Sequence, residues 1–481
     1  MHPVTALAAC REGAIARLAA WVAGQRAEDF PPRAIEQAKF VLLDTIGCGL
    51  AARDDDSARA VLATLAALGD KPQCTVLGHA EKMSAPNAVL ANGTLIRTLD
   101  LNDYVVGAHP VSGARGGHPS DNIPVALAAA ELAGSSGRDL LTAILIGYEI
   151  YGRGKALMRP DSPWDGISIS GLAAPAMAGW LLGLDEEKLA HAIALGAARA
   201  PTPVAVREGA ISAAKSIANA LIAQNGMQAA LLAAAGLTGP LDLFEAERGL
   251  KAVFAYASQS AAEILGAPLL AENFISRVAI KAYPCFAGGQ SAVAAALALH
   301  RQIGGDTDSL AGIRAIFADL PIVRRQLADP GRIMPASREA ADHSLHFLIA
   351  VSLIDGAFGL QQFAGERWTD PKVRALMGRL DMTTDAELAR RAAGAYPCAL
   401  HATGRDGRHH AVEVLQPSGF SPDGPDAETV LEKFARIAAD CVSPAARDRI
   451  VEAVMALDKA TTCEQLMRAV ASRLRPAAAL D

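Results

Sequence analysis

The stretch "PPRAIEQAKFVLLDTIGCGLAA", residues 31–52, predicts a helix. Proline is favoured in the first turn of a helix, and the apolar residues that follow recur at intervals of three and four. Similar patterns extend back to the amphipathic segment "MHPVTALAACREGAIARLAAWV", residues 1–22, and forward to about residue 270. Because these segments are rich in Ala, Leu, Gly and Ile, they can pack closely. The sequence therefore predicts a large all-helical domain.

Near residue 272 the pattern changes to short runs typical of β-strands. Two of them are "RVAIKAYPCF", residues 277–286, and "IRAIFADLPIV", residues 313–323. The segment "YPCALHATGRDGRHHAVEVLQP", residues 396–417, predicts a hairpin whose turn holds Asp-Gly. Helical patterns lie between these runs, which indicates a mixed α+β unit.

The fold prediction is therefore mostly α with a smaller α+β domain. We expect a discontinuous helical domain, residues 1–271 and 419–481, because the last sixty residues are again helical in pattern. Residues 272–418 would form an α+β lid domain.

Composition excludes several classes of function. The 481 residues carry a net charge of -6 with no basic block, so a nucleic-acid partner is not expected. The seven cysteines are scattered without a CxxC pair, which favours a reducing cytoplasm. No signal peptide or membrane span is expected, since the N-terminal segment carries charges within its apolar pattern. The generic metal, nucleotide and serine-hydrolase motifs are absent.

A glycine-rich loop holds the first candidate site. Asp100 and Asp103 end a predicted helix, and His109 and His118 follow in the loop. A carboxylate and an imidazole on one loop suit acid–base chemistry near neutral pH. The alternative is that the aspartates only terminate the helix and the histidines are solvated. His118 is preferred over His109, and the glycines around it would let the backbone approach a substrate.

Lys215 is the second candidate, because it is the only charged residue between Ile211 and Leu241. A lone lysine in an apolar helix must be paired, reach a cavity or extend to the surface from the first turns of its helix. Upstream, Arg207 could hold a carboxylate through two hydrogen bonds, or form a surface salt bridge.

The start of the second domain offers two further clusters. "KAYPCFAGGQSAV" places Gln290 at a helix start, where anions bind well, and Cys285 there is interpreted as a buried structural thiol. Around a second helix start lie Arg338, Asp342 and His343. Together these cations and loops suit a small polycarboxylate, whose deprotonation next to a carboxylate creates enediolate charge that needs stabilising.

The sequence resembles the MmgE/PrpD family over nearly its whole length. The resemblance rests on "LDLNDY…GGHPSDNIPVALAAAE", "GYEI", "LLGLDEEKLAHAIALG", "AAKS", "GLTGP", "KAYPCFAGGQSAV" and "DHSLHFLIAVSLIDG". It implies a helical domain with an α+β lid, a site between the two, a homodimer, and no metal or organic cofactor. By this resemblance Asp100, His118 and Lys215 fall on catalytic positions. The expected substrate-binding residues are Tyr104, Asp103, Ser120, Asp165, Arg207, Lys281, Gln290, Arg338 and His343.

Some positions depart from the family pattern. Decarboxylases of the family carry a histidine where this chain has Asp165 or Gly166, and another where it has Gln290. Tyr104 occupies a position that is often threonine, and Ala218 one that is often histidine. These departures weaken the prediction of decarboxylation.

The predicted function is a cofactor-independent hydro-lyase, a carbon–oxygen lyase acting on a hydroxy-di- or tricarboxylate such as 2-methylcitrate. His118 would move the proton, Asp100 would orient His118 or the substrate hydroxyl, and Lys215 would stabilise the enediolate. The alternatives are an epimerase of an α-substituted dicarboxylate, a cis-aconitate-type decarboxylase, and a family member that has lost catalysis and serves in binding.

Overall fold

The computed structural model describes residues 10–107, 109, 112–114, 116–209, 211–251, 260–269, 272–392 and 395–471. Part of the predicted N-terminal amphipathic segment and the last ten residues lie outside these ranges. The first ten helices are α1 Ala14–Gly24, α2 Pro32–Ala51, α3 Asp56–Leu68, α4 Ala85–Arg97, α5 Ile123–Ala133, α6 Gly137–Leu157, α7 Ser170–Leu181, α8 Glu186–Ala197, α9 Ala214–Ala234 and α10 Ala261–Leu265. The later helices are α11 Gln290–Gln302, α12 Pro321–Ala328, α13 Pro330–Ile333, α14 Arg338–Ala341, α15 Leu345–Asp355, α16 Pro371–Met377, α17 Ala386–Arg391, α18 Ala427–Ile437, α19 Pro444–Met455 and α20 Glu464–Val470. The strands are β1 Cys74–Thr75, β2 Lys82–Met83, β3 Tyr104–Val105, β4 Val278–Ala279, β5 Leu310–Ala318, β6 Leu380–Asp385, β7 Cys398–Gly404 and β8 His409–Val414.

Helices α1–α10 and α18–α20 form what we call the helical body. The helix predicted from residues 31–52 is α2, and it is buried along most of its length. Helix α9 packs against α4, α7 and α8. Small residues permit this close packing: a Cβ atom added at Gly226 would lie 2.5 Å from the Cβ of Ala174. The small-residue composition therefore explains how the helices approach one another.

Helices α11–α17 and strands β5–β8 form what we call the lid. Its sheet has the order β6-β5-β7-β8, in which β5 and β6 are parallel and the other neighbours antiparallel. Helix α11 packs on β7 and β8, and α15 packs on α11. The predicted hairpin is confirmed as β7 and β8, with Gly407 in the left-handed region of its turn at φ 79°.

The fold class, mostly α with a smaller α+β unit, is confirmed. The first predicted β-run does not join the lid sheet, because β4 pairs with the short strand β3. Helix α18 returns to pack against α2. Strand β6, which was not predicted, lies at the edge of the lid sheet.

Among the described residues, no single helix has both the length and the apolar character needed to cross a membrane. One sharply bent pair, Leu345–Asp355 with Leu360–Thr369, meets that test only when both helices are counted together.

Candidate active site

A cavity of about 550 Å³ is lined by residues of both the helical body and the lid. The sequence-predicted residues that line it are Asp100, Tyr104, His118, Asp165, Arg207 and His343. The predicted residues that do not line it are the buried Asp103, Ser120, Lys215, Lys281 and Gln290 and the partly exposed Arg338. Six of the predicted residues therefore line one cavity, and the other six do not.

His118 has its ring fixed from behind. Its Nδ1 atom lies 2.5 Å from the peptide oxygen of Asp103. Because a carbonyl oxygen only accepts, Nδ1 carries the proton and Nε2 carries the lone pair. Nε2 lies 3.3 Å from Nη2 of Arg97. Burial and the neighbouring Arg97 charge hold the pKa of His118 well below its usual range, so the imidazole is neutral near pH 7.

The glycines before His118 make room for two tyrosines. A Cβ atom at Gly116 would lie 2.8 Å from the hydroxyl of Tyr104, and one at Gly117 would lie 2.1 Å from the hydroxyl of Tyr151. Both glycines also have positive φ, at 70° and 111°. The two glycines therefore meet a packing requirement, and because both also line the cavity, their approach to a substrate stays a prediction.

Asp100 is surrounded by cations. Its Oδ1 accepts from Arg97 at 2.9 Å and from Lys281 at 2.5 Å, and its Oδ2 lies 3.0 Å from Lys215. Although burial opposes ionisation, these three cations hold the pKa of Asp100 well below its usual range. Its backbone adopts φ 49°, which is unusual for a residue other than glycine. Asp100 thus balances buried charge, and the Asp103 carbonyl orients His118.

Lys215 joins the helical body to the lid. Its ammonium lies 3.1 Å from Oδ1 of Asp342 and 3.2 Å from Nδ1 of His343. Asp100, Asp342 and His343 hold potential ligand atoms within 4.8 Å of one another. The Lys215 ammonium contacts all three, so a metal ion at this point would have to displace it. The lone charge in α9 is therefore paired, as one reading of the sequence required.

His343 brings a second imidazole to the cavity from the lid. It stacks on Phe286 at 5.2 Å between ring centroids. Burial and the Lys215 charge lower its pKa to about 4, although Asp342 acts in the opposite direction. Both cavity-lining histidines are consequently neutral near pH 7.

Asp165 and Arg207 form a pair on the cavity wall. Nε of Arg207 donates to Oδ2 of Asp165 at 2.6 Å, and Oδ1 of Asp165 accepts from the backbone N–H of Ile167 at 3.0 Å. Arg207 was expected either to hold a substrate carboxylate or to form a salt bridge, and in the structure its guanidinium is paired with Asp165. Arg332 of the lid donates to the peptide oxygen of Arg207 at 3.0 Å.

The remaining predicted residues support the site. Asp103 accepts from Ser120 at 2.5 Å and from Tyr148 at 2.7 Å, and burial raises the pKa of Asp103 to about 7. Gln290 accepts from the backbone N–H groups of Ala282 and Tyr283 at 2.9 and 3.0 Å, which fixes the loop after Lys281.

Arg338 and Cys285 also lie away from the cavity. Arg338 donates to the peptide oxygen of Thr98 at 2.9 Å and lies over the ring of Phe363. Burial raises the pKa of the Cys285 thiol, and its sulfur accepts from Gln290 at 3.3 Å. Its position fits the structural interpretation.

Several lining residues were missed from the sequence. The hydroxyls of Tyr104 and the lid residue Tyr396 lie 2.8 Å apart. Arg97, Tyr151 and Lys155 also line the cavity. Arg97 precedes Asp100 by one helical turn, a spacing that could have marked it. The sequence carried no comparable signal for Tyr396, because its contact spans 292 residues.

Comparisons with known proteins agree with this architecture. The MmgE/PrpD N-terminal domain model matches residues 16–262, and the MmgE/PrpD C-terminal domain model matches residues 283–459. The chain is 25% identical to cis-aconitate decarboxylase-like protein oryM of Aspergillus oryzae, with 95% of this chain and 97% of the relative covered. It is 26% identical to human cis-aconitate decarboxylase, covering 73% and 72%, and 26% identical to 2-methylcitrate dehydratase of Cupriavidus necator, covering 74% and 75%. These relatives are named as enzymes, and the two domain matches together show that the chain belongs to the MmgE/PrpD family.

Proposed function

We propose that the protein is a lyase that removes water from a small hydroxy-di- or tricarboxylate such as 2-methylcitrate. The observation that carries the proposal is the fixed tautomer of His118, whose unprotonated Nε2 lies 3.3 Å from Arg97 at the cavity. A neutral imidazole with a lone pair beside a cation suits removal of a proton next to a carboxylate.

In this mechanism Nε2 of His118 takes the proton from the carbon next to a carboxylate. The C–H electron pair becomes the enediolate, whose negative charge the Arg97 guanidinium stabilises. The electrons then form the carbon–carbon double bond as the hydroxyl leaves. We assign the proton that makes this hydroxyl into water to Tyr104, whose hydroxyl lies 2.8 Å from that of Tyr396.

A direct assay tests this reaction. The protein is incubated with 2-methylcitrate, and separately with citrate, while ultraviolet absorbance reports the conjugated alkene. We expect absorbance to rise with 2-methylcitrate and to depend on His118. A folded protein that produces no alkene at high concentration would remove this substrate from consideration.

Epimerisation of an α-substituted dicarboxylate is the second candidate. It is favoured by the second neutral imidazole, His343, which reaches the same cavity from the lid. Two bases could remove and return a proton on opposite faces of one carbon. Incorporation of solvent deuterium into substrate without alkene would favour this reaction.

Decarboxylation is named in several relatives and would appear as release of carbon dioxide. We rank it lower because the positions that carry histidines in family decarboxylases hold other groups here. Asp165 pairs with Arg207, and Gln290 is engaged by backbone groups. Measurement of carbon dioxide in the same assay separates it from dehydration.

We also propose a homodimer. Helix α9 carries Leu221 and Leu232 on its outer side, each with 47% of its surface exposed. The buried Lys215 is the only charged residue of this helix, so its outer side is uncharged. Light scattering after size-exclusion chromatography should give twice the 49.8 kDa chain mass, and a monomer would contradict the proposal.

A further inference from the structure

Lys155 is a buried lysine on the cavity wall that the proposed mechanism does not use. It lies in the last turn of α6 and has 4% of its surface exposed. The peptide oxygen of Lys155 accepts from Ser112 at 2.6 Å, which anchors the end of the helix. A lysine is rarely buried without a reason, because desolvating the ammonium is costly.

The space beside Lys155 is kept open by Gly166. A Cβ atom at Gly166 would lie 3.6 Å from Nζ of Lys155 and 3.8 Å from the hydroxyl of Tyr151. The ammonium and the hydroxyl therefore converge on one small region of the cavity wall, and a glycine there leaves room for a ligand group. Both groups can donate hydrogen bonds to a carboxylate.

Two cations lie near this end of the cavity. Asp165 acts electrostatically on Lys155, and its carboxylate contacts Arg207 at 2.6 Å. A substrate carboxylate that enters here would be attracted to both cations.

We propose that Lys155, together with Tyr151 and the space at Gly166, binds a carboxylate of the substrate that does not react. The inference rests on the proposed function, in that the substrate is a polycarboxylate. It adds that the substrate carries a carboxylate on the Lys155 side of the cavity, separate from the one beside His118 and Arg97. Lys155 would thereby select polycarboxylates over monocarboxylates.

The binding should weaken in alkali for a defined reason. Burial lowers the pKa of Lys155 to about 8, although Asp165 opposes this. The cation is present below that pH and is lost above it. The other titratable and charged groups near Lys155 are Tyr151, Asp165, Arg207 and His118, which line the cavity, and His109, which does not.

The pKa shifts of His109, His118 and Tyr151 do not explain a change between pH 7 and pH 9. Burial lowers the pKa of His109 to about 4 and holds that of His118 well below its usual range, while burial raises that of Tyr151 above its usual range. Asp103 titrates near 7 but contacts Ser120 and Tyr148.

Calorimetry with tricarballylate, a tricarboxylate that lacks a hydroxyl to lose, tests the inference without turnover. At pH 7 we expect Lys155→Met to weaken binding by about 10- to 100-fold, as loss of a charge-assisted hydrogen bond would. Lys155→Arg should retain most of the affinity. Lys39→Met is the matched control, because Lys39 pairs with Asp458 and does not line the cavity.

The pH dependence gives a second readout. Wild-type affinity should fall by about tenfold from pH 7 to pH 9, whereas Lys155→Arg should show little change because arginine stays charged. Titration of Asp103 occurs in both proteins and cancels in their comparison. Wild-type affinity in folded Lys155→Met, an equal pH dependence in Lys155→Arg, or no binding to the wild type would overturn the inference.

Turnover separates this inference from the proposed reaction. Lys155→Met should raise KM with little effect on kcat, and a fall in kcat with unchanged tricarballylate affinity would overturn the inference. If tricarballylate binding depends on Lys155 but no polycarboxylate loses water, the dehydration proposal fails and the carboxylate site stands.

Discussion

The peptide oxygen of Asp103 lies 2.5 Å from Nδ1 of His118, and this single contact fixes which ring nitrogen is available at the cavity. The contact depends on the loop between the two residues, since Gly116 and Gly117 allow the chain to pass Tyr104 and Tyr151. The orientation of the His118 imidazole therefore depends on the backbone geometry of this loop.

Replacing His118 tests its role in proton transfer. His118→Gln should lower kcat by about 100- to 10,000-fold, the usual contribution of a general base. His109→Gln is the control, because His109 lies in the same loop but does not line the cavity. Equal activities of the two variants in steady-state assays would contradict the assignment.

Replacing Asp100 tests its role in balancing charge. Asp100→Asn leaves Arg97, Lys215 and Lys281 without their shared carboxylate, so we expect the free energy of unfolding to fall by about 3–5 kcal/mol. Urea denaturation measures this change. Asp161→Asn, at an exposed pair, should leave stability nearly unchanged. A loss for Asp100→Asn as small as the control would show that the cations are stabilised in another way.

The glycine before His118 should tolerate no side chain. Gly117→Ala places a methyl group against the Tyr151 hydroxyl, and it forces alanine to adopt a backbone φ of 111°. We therefore expect both activity and melting temperature to fall. Tyr151→Phe in the same chain should restore part of the loss, because it removes the nearest atom. Gly113→Ala is the matched control: its φ is 71°, but the nearest atom is 3.6 Å away. A melting temperature for Gly117→Ala no lower than that of Gly113→Ala would contradict the packing argument.

Stability should depend on pH through His343. Its pKa is about 4 in the folded protein and about 6.5 when unfolded, so the unfolded chain takes up the proton first as pH falls. Proton uptake by the unfolded chain favours unfolding between about pH 6.5 and 4. Over this range we expect the free energy of unfolding of the wild type to decline relative to that of His343→Gln by up to about 3 kcal/mol.

Asp103 acts in the opposite sense, because its raised folded pKa makes the folded protein bind the proton first. It is present in the wild type and in His343→Gln, so its contribution cancels in the comparison. Urea denaturation at several pH values gives the difference between the two proteins. A difference that does not vary with pH would contradict a neutral, buried His343.

Local patterns in the sequence were enough to predict the helices and the hairpin. Pro32 at the start of α2 and the alternating strands β7 and β8 are encoded by neighbours in the chain. The prediction that His118 belongs to the site came from the motif around it. Strand β6 was missed because its half-exposed residues lack a clear alternation of apolar and polar positions.

The site's division into lining and support could not be predicted in the same way. Lys215 is paired with Asp342 across 127 residues, and Lys281 with Asp100 across 181. Those distances in sequence leave no local pattern. Nothing in the local sequence distinguishes Lys155 from the rest of its helix. Only the folded chain places it beside Gly166.

Proton nuclear magnetic resonance of 2-methylcitrate incubated in deuterium oxide tests the central claim most directly, because it reports proton removal and water loss together. We predict an alkene signal with the wild type and with His109→Gln, and none on the same timescale with His118→Gln. Alkene formation that is unaffected by His118→Gln, or loss of carbon dioxide with no alkene produced by dehydration, would contradict it.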